Sequence, residues 1–173
     1  RKWRASNGSN NNIIFNQTIR AGKQSQSDYT SMNDLDISIK GNEFKHLLFH
    51  FILPYSKWEY ASICSTESFD SLSKGYEDAV WNLGFVAPEH RTDNLSAASK
   101  RIGRKRVSTD KWLEFMRHYS VIPSRNNPGK SNENGSIEKS HDLLKNDIRQ
   151  QLMLRGSKDF NEIAEYTEFL QEI

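Results

Sequence analysis

Apolar and polar residues form strand-like segments through the first third of the chain. One such segment spans residues 28–32, and residues 35–40 are its predicted hairpin partner across a turn at 33–34. A nearly unbroken apolar run at 46–53 is typical of a strand buried on both faces. Residues 58–64 form the third predicted strand. Apart from the hairpin partner at 35–40, the pattern therefore predicts three strands, antiparallel in character, before the first helix.

Beyond residue 65 the apolar residues recur at helical spacing. Five of them mark one face of an amphipathic helix: Phe69, Leu72, Tyr76, Val80 and Leu83. Thr66 or Ser68 is the predicted N-cap of this helix, and Gly84 is its predicted stop. We expect Trp81 and Phe85 to pack the helix against the sheet rather than to stack on bases.

The remaining predicted elements alternate between strand and helix. In chain order they are a strand at 88–93, a helix at 109–119, a strand at 121–124, a helix at 136–154 and a final helix from a cap at Asp159 to Leu170. The segment at 126–135 is rich in Asn, Gly and Ser, and we expect it to be a mobile loop. Together the elements predict an α/β fold with a mixed five-stranded sheet flanked by helices.

Composition and length favour one domain with a modest core. The chain has 173 residues, of which 35% are hydrophobic, and it contains neither a bilayer-length apolar run nor a signal-peptide pattern. The cytoplasm is therefore the expected location. Because the chain begins with Arg1 and its first residues are polar, we expect 1–25 to be a linker from an upstream domain and 26–173 to be the core domain. Cys64 is alone, which excludes a disulfide framework, and a buried core thiol is its expected role.

Three acidic residues are candidates for chemistry. Asp28 lies in a strand-like segment where aspartate is disfavoured, Asp93 ends an apolar stretch, and Glu138 stands near a helix start. Singly, each has an ordinary structural explanation: a hydrogen-bonded edge position, a turn or cap, and complementarity to the helix dipole. Brought together, they would repel one another unless divalent cations lay between them. A pair of such cations supports phosphoryl transfer.

Four segments in order resemble the catalytic core of the integrase and DDE-transposase superfamily, and most closely the IstA-type transposases of bacterial insertion sequences. The similarity runs from about Phe15 to the C-terminus. It rests on Gln26-Ser27-Asp28-Tyr29-Thr30, His46-Leu47-Leu48-Phe49-His50 leading into Leu53-Pro54-Tyr55-Ser56, His90-Arg91-Thr92-Asp93-Asn94-Leu95-Ser96, and Asn132-Glu133-Asn134-Gly135-Ser136-Ile137-Glu138. The resemblance implies an RNase H-like fold.

The same resemblance implies a DNA strand transferase. Asp28, Asp93 and Glu138 would be the catalytic residues and the ligands of two Mg²⁺ or Mn²⁺ ions, with Asp28 shared between the ions. Glu133 competes for the third place, but the family context Gly-x-(Ile/Val)-Glu favours Glu138. Water would free a 3′-OH at a transposon end, and that 3′-OH would attack target DNA. Further implications are double-stranded DNA as substrate, a homo-oligomer on DNA, a partner ATPase and a nucleoid-associated location.

Basic residues supply the candidate DNA contacts. The formal net charge is only +2, so their distribution matters more than their number. One dense run contains Lys100, Arg101, Arg104, Lys105 and Arg106. Its alternative explanation is a solvated surface loop. Lys139 and Lys145 follow Glu138, and helical spacing places Lys145 on the same face as Glu138. His141 is as well explained by a surface or core position as by a DNA contact.

Two other functions remain compatible with these residues. One is a catalytically inactive core that binds DNA or supports assembly. The other is a purely hydrolytic nuclease of the same fold, which would cleave DNA without joining it. Joining of a pre-cut end separates a transposase from the second alternative.

Overall fold

The computed structural model describes residues 20–93, 95–102, 105–125 and 135–173, with the backbone alone at 101–102, 105–106 and 135–136. The predicted 126–135 loop lies outside this part except for Gly135, and most of the predicted linker 1–25 also lies outside it. Ten strands fall within the described residues: β1 (Gln24–Ser31), β2 (Ser38–Ile39), β3 (Asn42–Glu43), β4 (Leu47–Ile52), β5 (Glu59–Cys64), β6 (Glu89–Thr92), β7 (Ser99–Ile102), β8 (Lys105–Ser108), β9 (Ile122–Arg125) and β10 (Asp159–Phe160).

Four α-helices and one short 3-10 helix accompany these strands in the described part of the chain. They are the 3-10 helix Asn33–Leu35, α1 (Phe69–Leu83), α2 (Asp110–His118), α3 (Gly135–Arg155) and α4 (Ile163–Gln171). None of the described helices combines the length and apolar character that a membrane crossing requires.

Five strands form the central sheet in the order β5-β4-β1-β6-β9. β1 pairs antiparallel with β4 and parallel with β6, while β9 continues the parallel half beyond β6. The predicted mixed five-stranded sheet flanked by helices is therefore confirmed. β1 begins earlier than the sequence pattern indicated because its first residues are polar yet buried: Ser25 and Ser27 are both almost inaccessible to solvent.

The central strand β4 supplies side chains to both faces of the sheet. Phe49 and Phe51 enter a core under α1 and α2, whereas Leu48 enters a second core with Ile148 of α3. This two-sided burial explains why the apolar run at 46–53 shows no alternation. The second core also contains Met32, Leu35, Ile37, Leu152, Phe160 and Tyr166.

Helix α1 begins and ends where its sequence signals indicate. Ser68 is the N-cap, and its hydroxyl accepts a 3.1 Å hydrogen bond from the Ser71 backbone N–H. Gly84 ends the helix in the left-handed conformation with φ of 69°, which glycine adopts without strain. Trp81 and Phe85, however, do not seal the helix to the sheet, since they are 76% and 47% exposed.

Several predicted local features are wrong. Residues 35–40 do not pair with β1, because Leu35 and Ile37 turn into the second core and β2 pairs with β3 and β10. Asp159 does not cap the last helix; it lies in β10, where its carboxylate accepts from Ser38 Oγ and the Gly41 N–H. Cys64, by contrast, was predicted as a buried core thiol; it is half-buried in β5 and packs against the core under α1 and α2.

The close packing of α1 on β4 predicts the effect of Gly75→Ala. A Cβ at Gly75 would stand 2.6 Å from Phe49 Cγ, inside contact distance. We therefore expect a loss of about 1–3 kcal/mol in the free energy of unfolding, although alanine favours a helix interior by roughly 1 kcal/mol over glycine. Urea unfolding followed by tryptophan fluorescence measures the change.

Two controls accompany the Gly75 experiment. Asn82→Ala changes an exposed position of the same helix and should alter stability by no more than about 0.5 kcal/mol. Adding Phe49→Leu to Gly75→Ala should recover part of the loss if the aromatic ring causes it. Equal stability of Gly75→Ala and the wild type would contradict the packing described for this interface.

Candidate functional site

The parallel pairing of β1 with β6 brings two of the candidate carboxylates side by side. Ser27 is the Cα partner of Thr92, so the next residue along each strand places Asp28 beside Asp93. Neighbouring strands are about 4.8 Å apart. Both aspartates are half-buried at this end of the strands.

The surroundings of Asp28 oppose its ionisation. Burial raises its pKa, a 2.9 Å hydrogen bond from the Tyr29 N–H to Oδ1 lowers it, and the negative charges of Asp93, Glu67 and Glu138 raise it further, to about 6. The third candidate carboxylate, Glu138, therefore lies within electrostatic reach of Asp28. Glu67, an exposed residue between β5 and α1, belongs to the same acidic surroundings and carries no motif that would have indicated it.

Glu138 stands exposed in the first turn of α3, the helix that packs on β1 and β4. Within the described ranges, no three His, Cys, Asp or Glu side chains are arranged so that they could hold one metal ion. The three candidates thus share one region without forming a complete ligand set. The competing Glu133 and the neighbouring Asn94 lie outside the described residues.

The chemistry of these donors fits a hard divalent cation. Carboxylate oxygens are the ligands that Mg²⁺ and Mn²⁺ prefer. Burial is the main cause of the raised pKa of Asp28, and the nearby negative charges of Asp93, Glu67 and Glu138 add to it. A bound cation would favour the ionised form of these groups. Asp28, Asp93 and Glu138 therefore carry the type of donor that such an ion prefers, although in this arrangement they do not form a three-ligand group.

His90 fixes the two strands beneath the aspartates. Its ring is fully buried, with Nδ1 2.8 Å from Ser25 Oγ and Nε2 2.9 Å from Ser27 Oγ. Burial lowers its pKa to about 3, so the ring is neutral at physiological pH. A neutral imidazole donates from one nitrogen and accepts at the other, and each serine hydroxyl can take either role. These bonds join β6 to β1 just before the aspartates.

The predicted DNA-binding residues have varied surroundings. Lys139 is exposed beside Glu138, and Lys100 lies 3.4 Å from Asp110. Lys145 Nζ lies 3.1 Å from Asp34 Oδ1, and its side chain is 18% exposed. In this arrangement Lys145 binds the carboxylate of Asp34 in the same chain, and its role as a phosphate contact stays a prediction.

The rest of the predicted basic run occupies an antiparallel hairpin instead of a loop. β7 pairs with β8, and Arg101 is the Cα partner of Arg106. Lys105 is the first residue of β8, whereas Arg104 lies outside the described residues. The hairpin directly follows the strand that leads to Asp93, with only residues 93–98 between them.

One curated relative extends the sequence evidence without naming a function. An uncharacterized protein of Sinorhizobium fredii (strain NBRC 101917 / NGR234), y4jA/y4nE/y4sE, is 42% identical over 176 residues. The match covers the whole of this chain but 35% of the relative, so the chain spans about a third of that protein's length. No family model matches the chain.

Solved structures similar to this chain are retroviral integrase cores. An intasome structure from simian T-cell lymphotropic virus in complex with the PP2A regulatory subunit B56 gamma matches with a TM-score of 0.63 at 14% identity, over 80% of this chain and 44% of that one. The HTLV-2 integrase catalytic core with magnesium, in its dimeric form, matches with a TM-score of 0.57 at 19% identity, over 76% of this chain and 73% of that one. The BIV integrase catalytic core matches with a TM-score of 0.57 at 12% identity, over 84% of this chain and 80% of that one. At these identities the likeness shows the fold, and the predicted RNase H-like architecture is confirmed.

The electrostatics of Asp28 predict a pH-dependent effect of Asp28→Asn. The folded-state pKa of about 6 lies above the ordinary value of 3.8, so the stability that this carboxyl contributes is complete below pH 3.8 and lost as the pH rises through 6. Without divalent metal, we expect Asp28→Asn to be more stable than the wild type by roughly 1–3 kcal/mol at pH 7.5. The difference should vanish near pH 4.

Urea unfolding at a series of pH values measures this difference. Asp142→Asn is the matched control, because Asp142 is exposed on α3, and its substitution should change stability by less than about 0.5 kcal/mol at every pH. If Asp28→Asn were only as stable as the wild type at pH 7.5, the surroundings of Asp28 would not disfavour its ionised form.

Proposed function

We propose that this chain is the catalytic core of a DDE transposase or integrase that cuts and joins the 3′ ends of DNA. The observation that carries the proposal is the placement of Asp28 beside Asp93 on adjacent parallel strands, with the charge of Glu138 acting on Asp28, in a fold shared with integrase catalytic cores. Acidic groups concentrated in this way are suited to binding divalent cations at a phosphodiester.

The three carboxylates have distinct roles in this proposal. Asp28 lies on β1, the central strand of the sheet, so it would bind both of two Mg²⁺ or Mn²⁺ ions, while Asp93 and Glu138 would each hold one. Such ions, when bound, activate an attacking oxygen and stabilise the leaving oxygen. Both aspartates are half-buried, and Asp28 Oδ1 is oriented by its hydrogen bond from the Tyr29 N–H. The attack is in line, first by water and then by the freed 3′-OH, with no covalent enzyme intermediate.

DNA would be held mainly through its phosphates. Lys139 is exposed next to Glu138, Lys145 lies two turns further along α3, and the β7–β8 hairpin carries the dense basic run. These charges would offset the repulsion between the acidic site and the DNA backbone. Phosphate contacts of this kind orient the duplex without reading its sequence.

The wider context of the core is part of the proposal. We assign 26–173 to the catalytic core and 1–25 to a linker of a longer protein, consistent with a relative nearly three times as long. The sequence segments shared with IstA-type transposases favour a bacterial insertion-sequence enzyme with a partner ATPase, acting on the nucleoid in the cytoplasm. Assembly as a homo-oligomer on DNA is supported by the dimeric and trimeric forms of the HTLV-2 core.

A binding module without catalysis is the second candidate. It is favoured by one observation, which is that no complete metal-ligand group forms among the described residues. The two candidates differ in whether the carboxylates are required for chemistry or only for the shape and charge of a DNA-binding surface.

Removal of single carboxylate charges separates these candidates. Asp93→Asn and Glu138→Gln keep side-chain shape, and each should abolish Mn²⁺-dependent resealing of a branched duplex that mimics the joined product. Glu133→Gln is the matched control within the same segment and should retain activity. An active Asp93→Asn protein, or loss only in Glu133→Gln, would refute the assignment.

Neutralisation of the basic hairpin tests its contact with DNA. The variant replaces five residues by glutamine: Lys100, Arg101, Arg104, Lys105 and Arg106. Each phosphate contact that is lost should reduce the slope of log affinity against log salt by about 0.9 on duplex DNA. Fluorescence anisotropy at several salt concentrations measures the slope.

A second basic set is the control for the hairpin. Lys40, Lys45 and Lys158 are charged residues near β2, β3 and β10, away from the hairpin in sequence. Their replacement by glutamine should leave the slope unchanged, and it should cost little stability because all three lysines are exposed. An unchanged slope in the hairpin variant would show that these five residues do not contact DNA phosphates, as expected of a solvated surface segment.

A further inference from the structure

The carboxylate of Glu59, on the edge strand β5, joins helix α3 to strands β4 and β5. Glu59 is the first residue of β5, and its Oε2 accepts a 2.9 Å hydrogen bond from His50 Nε2 on β4. Its other oxygen, Oε1, accepts a short hydrogen bond from Ser140 Oγ on α3. We call these two bonds the Glu59 link. The link connects elements that are far apart in sequence.

The Glu59 link lies in a polar pocket beneath α3. His50 is fully buried and Ser140 is 6% exposed. The rings of His50 and His141 lie 5.0 Å apart, and His50 Nδ1 and His141 Nε2 are buried with no hydrogen-bond partner among the described residues. Burial raises the pKa of Glu59, but the hydrogen bonds from His50 and Ser140 outweigh it and leave the pKa below its usual value. An ionised Glu59 is therefore a strong acceptor for both donors.

The two halves of α3 are attached to the protein in different ways. Its C-terminal half enters the second core through Ile148 and Leu152. Its first two described turns have Ile137 and Ser140 as their buried side chains. Ile137 holds this end of the helix by apolar burial, whereas Ser140, which is polar, is held by its hydrogen bond to Glu59.

The geometry relates this attachment to Glu138. His50 is the cross-strand Cα partner of Asp28, so the link is anchored one strand, about 4.8 Å, from that aspartate. Glu138 precedes His141 by nearly one helical turn, about 4.5 Å along the axis. A helix fixed over β4 at Ser140 and His141 thus holds Glu138 near the strand that carries Asp28.

We propose that Glu59, acting through Ser140, is a positioning residue that holds the start of α3 so that Glu138 faces Asp28. This inference rests on the proposed function for its catalytic consequence, whereas its structural part stands independently. Glu59 contacts neither DNA nor the reacting atoms in this role. It acts by restricting the motion of the helix turn that carries the third carboxylate.

Substitutions at Ser140 and Glu59 test the inference. Ser140→Ala and Glu59→Ala remove the link, whereas Ser140→Thr keeps a hydroxyl and Glu59→Gln keeps an accepting oxygen and a nearly identical shape. In the resealing assay on branched DNA with Mn²⁺, we expect both alanine variants to lower kcat by roughly 10- to 100-fold, because misplacement of a catalytic group by about 1 Å has effects of this size. The KM for DNA should stay within about twofold of the wild type, as no DNA contact is removed. Ser140→Thr and Glu59→Gln should restore most of kcat.

Hydrogen–deuterium exchange supplies a readout that does not need activity. In both alanine variants, amides of residues 137–143 should exchange at least about tenfold faster while those of 148–155 keep their protection, since local opening follows local contacts. Ile148→Val is the matched control: it weakens the other half of the same helix in a fully buried position. It should lower the melting temperature without the selective loss of kcat.

The outcomes distinguish the two proposals. Unchanged exchange at 137–143 in Ser140→Ala, or equal loss of kcat in Ser140→Ala and in an Ile148→Val protein of the same melting temperature, would overturn the positioning role. A wild-type protein that reseals no DNA, or an Asp28→Asn protein that still does, would overturn the proposed function instead. In that case faster exchange confined to 137–143 still supports the structural part of the link.

Discussion

The parallel pairing of β1 with β6 is the constraint on which the rest of the site depends. Side chains alternate between the two faces of a strand, so a slip of one residue would turn Asp28 or Asp93 to the opposite face. The pairing is held by a buried neutral imidazole, since His90 on β6 meets Ser25 and Ser27 on β1. A hydrogen-bonded group of this kind specifies register more strictly than apolar contacts, which tolerate small shifts. The acidic pair is therefore a consequence of the buried polar contact beneath it.

This constraint places mutually repulsive groups at one end of the sheet, and the stability that offsets them comes from elsewhere. Phe49 and Phe51 on one face of β4 and Leu48 on the other anchor two separate cores. The strand beside β1 is thus held from both sides. Burial is the largest cause of the raised pKa of Asp28, and the charges of Asp93, Glu67 and Glu138 raise it further. Perturbed pKa values of this kind cluster at functional sites.

Elements specified by neighbouring residues could be predicted from the sequence. The cap at Ser68, the stop at Gly84 and the two-sided strand β4 all follow from local signals, and the structure confirms them. Residues 35–40 were wrongly predicted as a hairpin partner because an antiparallel partner from β4 displaces them and their apolar residues have a place in the second core. Trp81 was wrongly predicted to pack α1 against the sheet, because helical spacing identifies the buried face of a helix but does not show how many residues that face includes. The pairing of Asp28 with Asp93 was predicted only from the order of the segments that resemble the integrase superfamily, because no local pattern shows which strands become neighbours.

Long-range polar contacts were the least accessible to sequence analysis. Ser140 and Glu59 are 81 residues apart, and neither stands in a pattern that predicts the other. The same holds for Asp34, whose carboxylate binds Lys145 and Arg149 of α3. Helical spacing predicts that Lys145 and Glu138 share a face of α3, but the spacing does not state which partner the long Lys145 side chain binds. Such partners depend on the fold as a whole.

These internal ion pairs bear on how a chain of small net charge could bind DNA. Lys145 is paired with Asp34, and Lys100 with Asp110, so two of the candidate phosphate contacts are satisfied within the protein. Lys100 and Asp110 are both exposed, at 51% and 83%, and exposed pairs are worth about 1 kcal/mol or less. In the proposed function a DNA phosphate would therefore replace Asp110 at Lys100 at a small cost in free energy, and the freed Asp110 would remain in solvent. Lys145 is only 18% exposed, so its pair with Asp34 is more enclosed than the Lys100 pair. Binding at Lys100 would thus exchange one weak anion contact for another, favoured by the release of counterions from DNA.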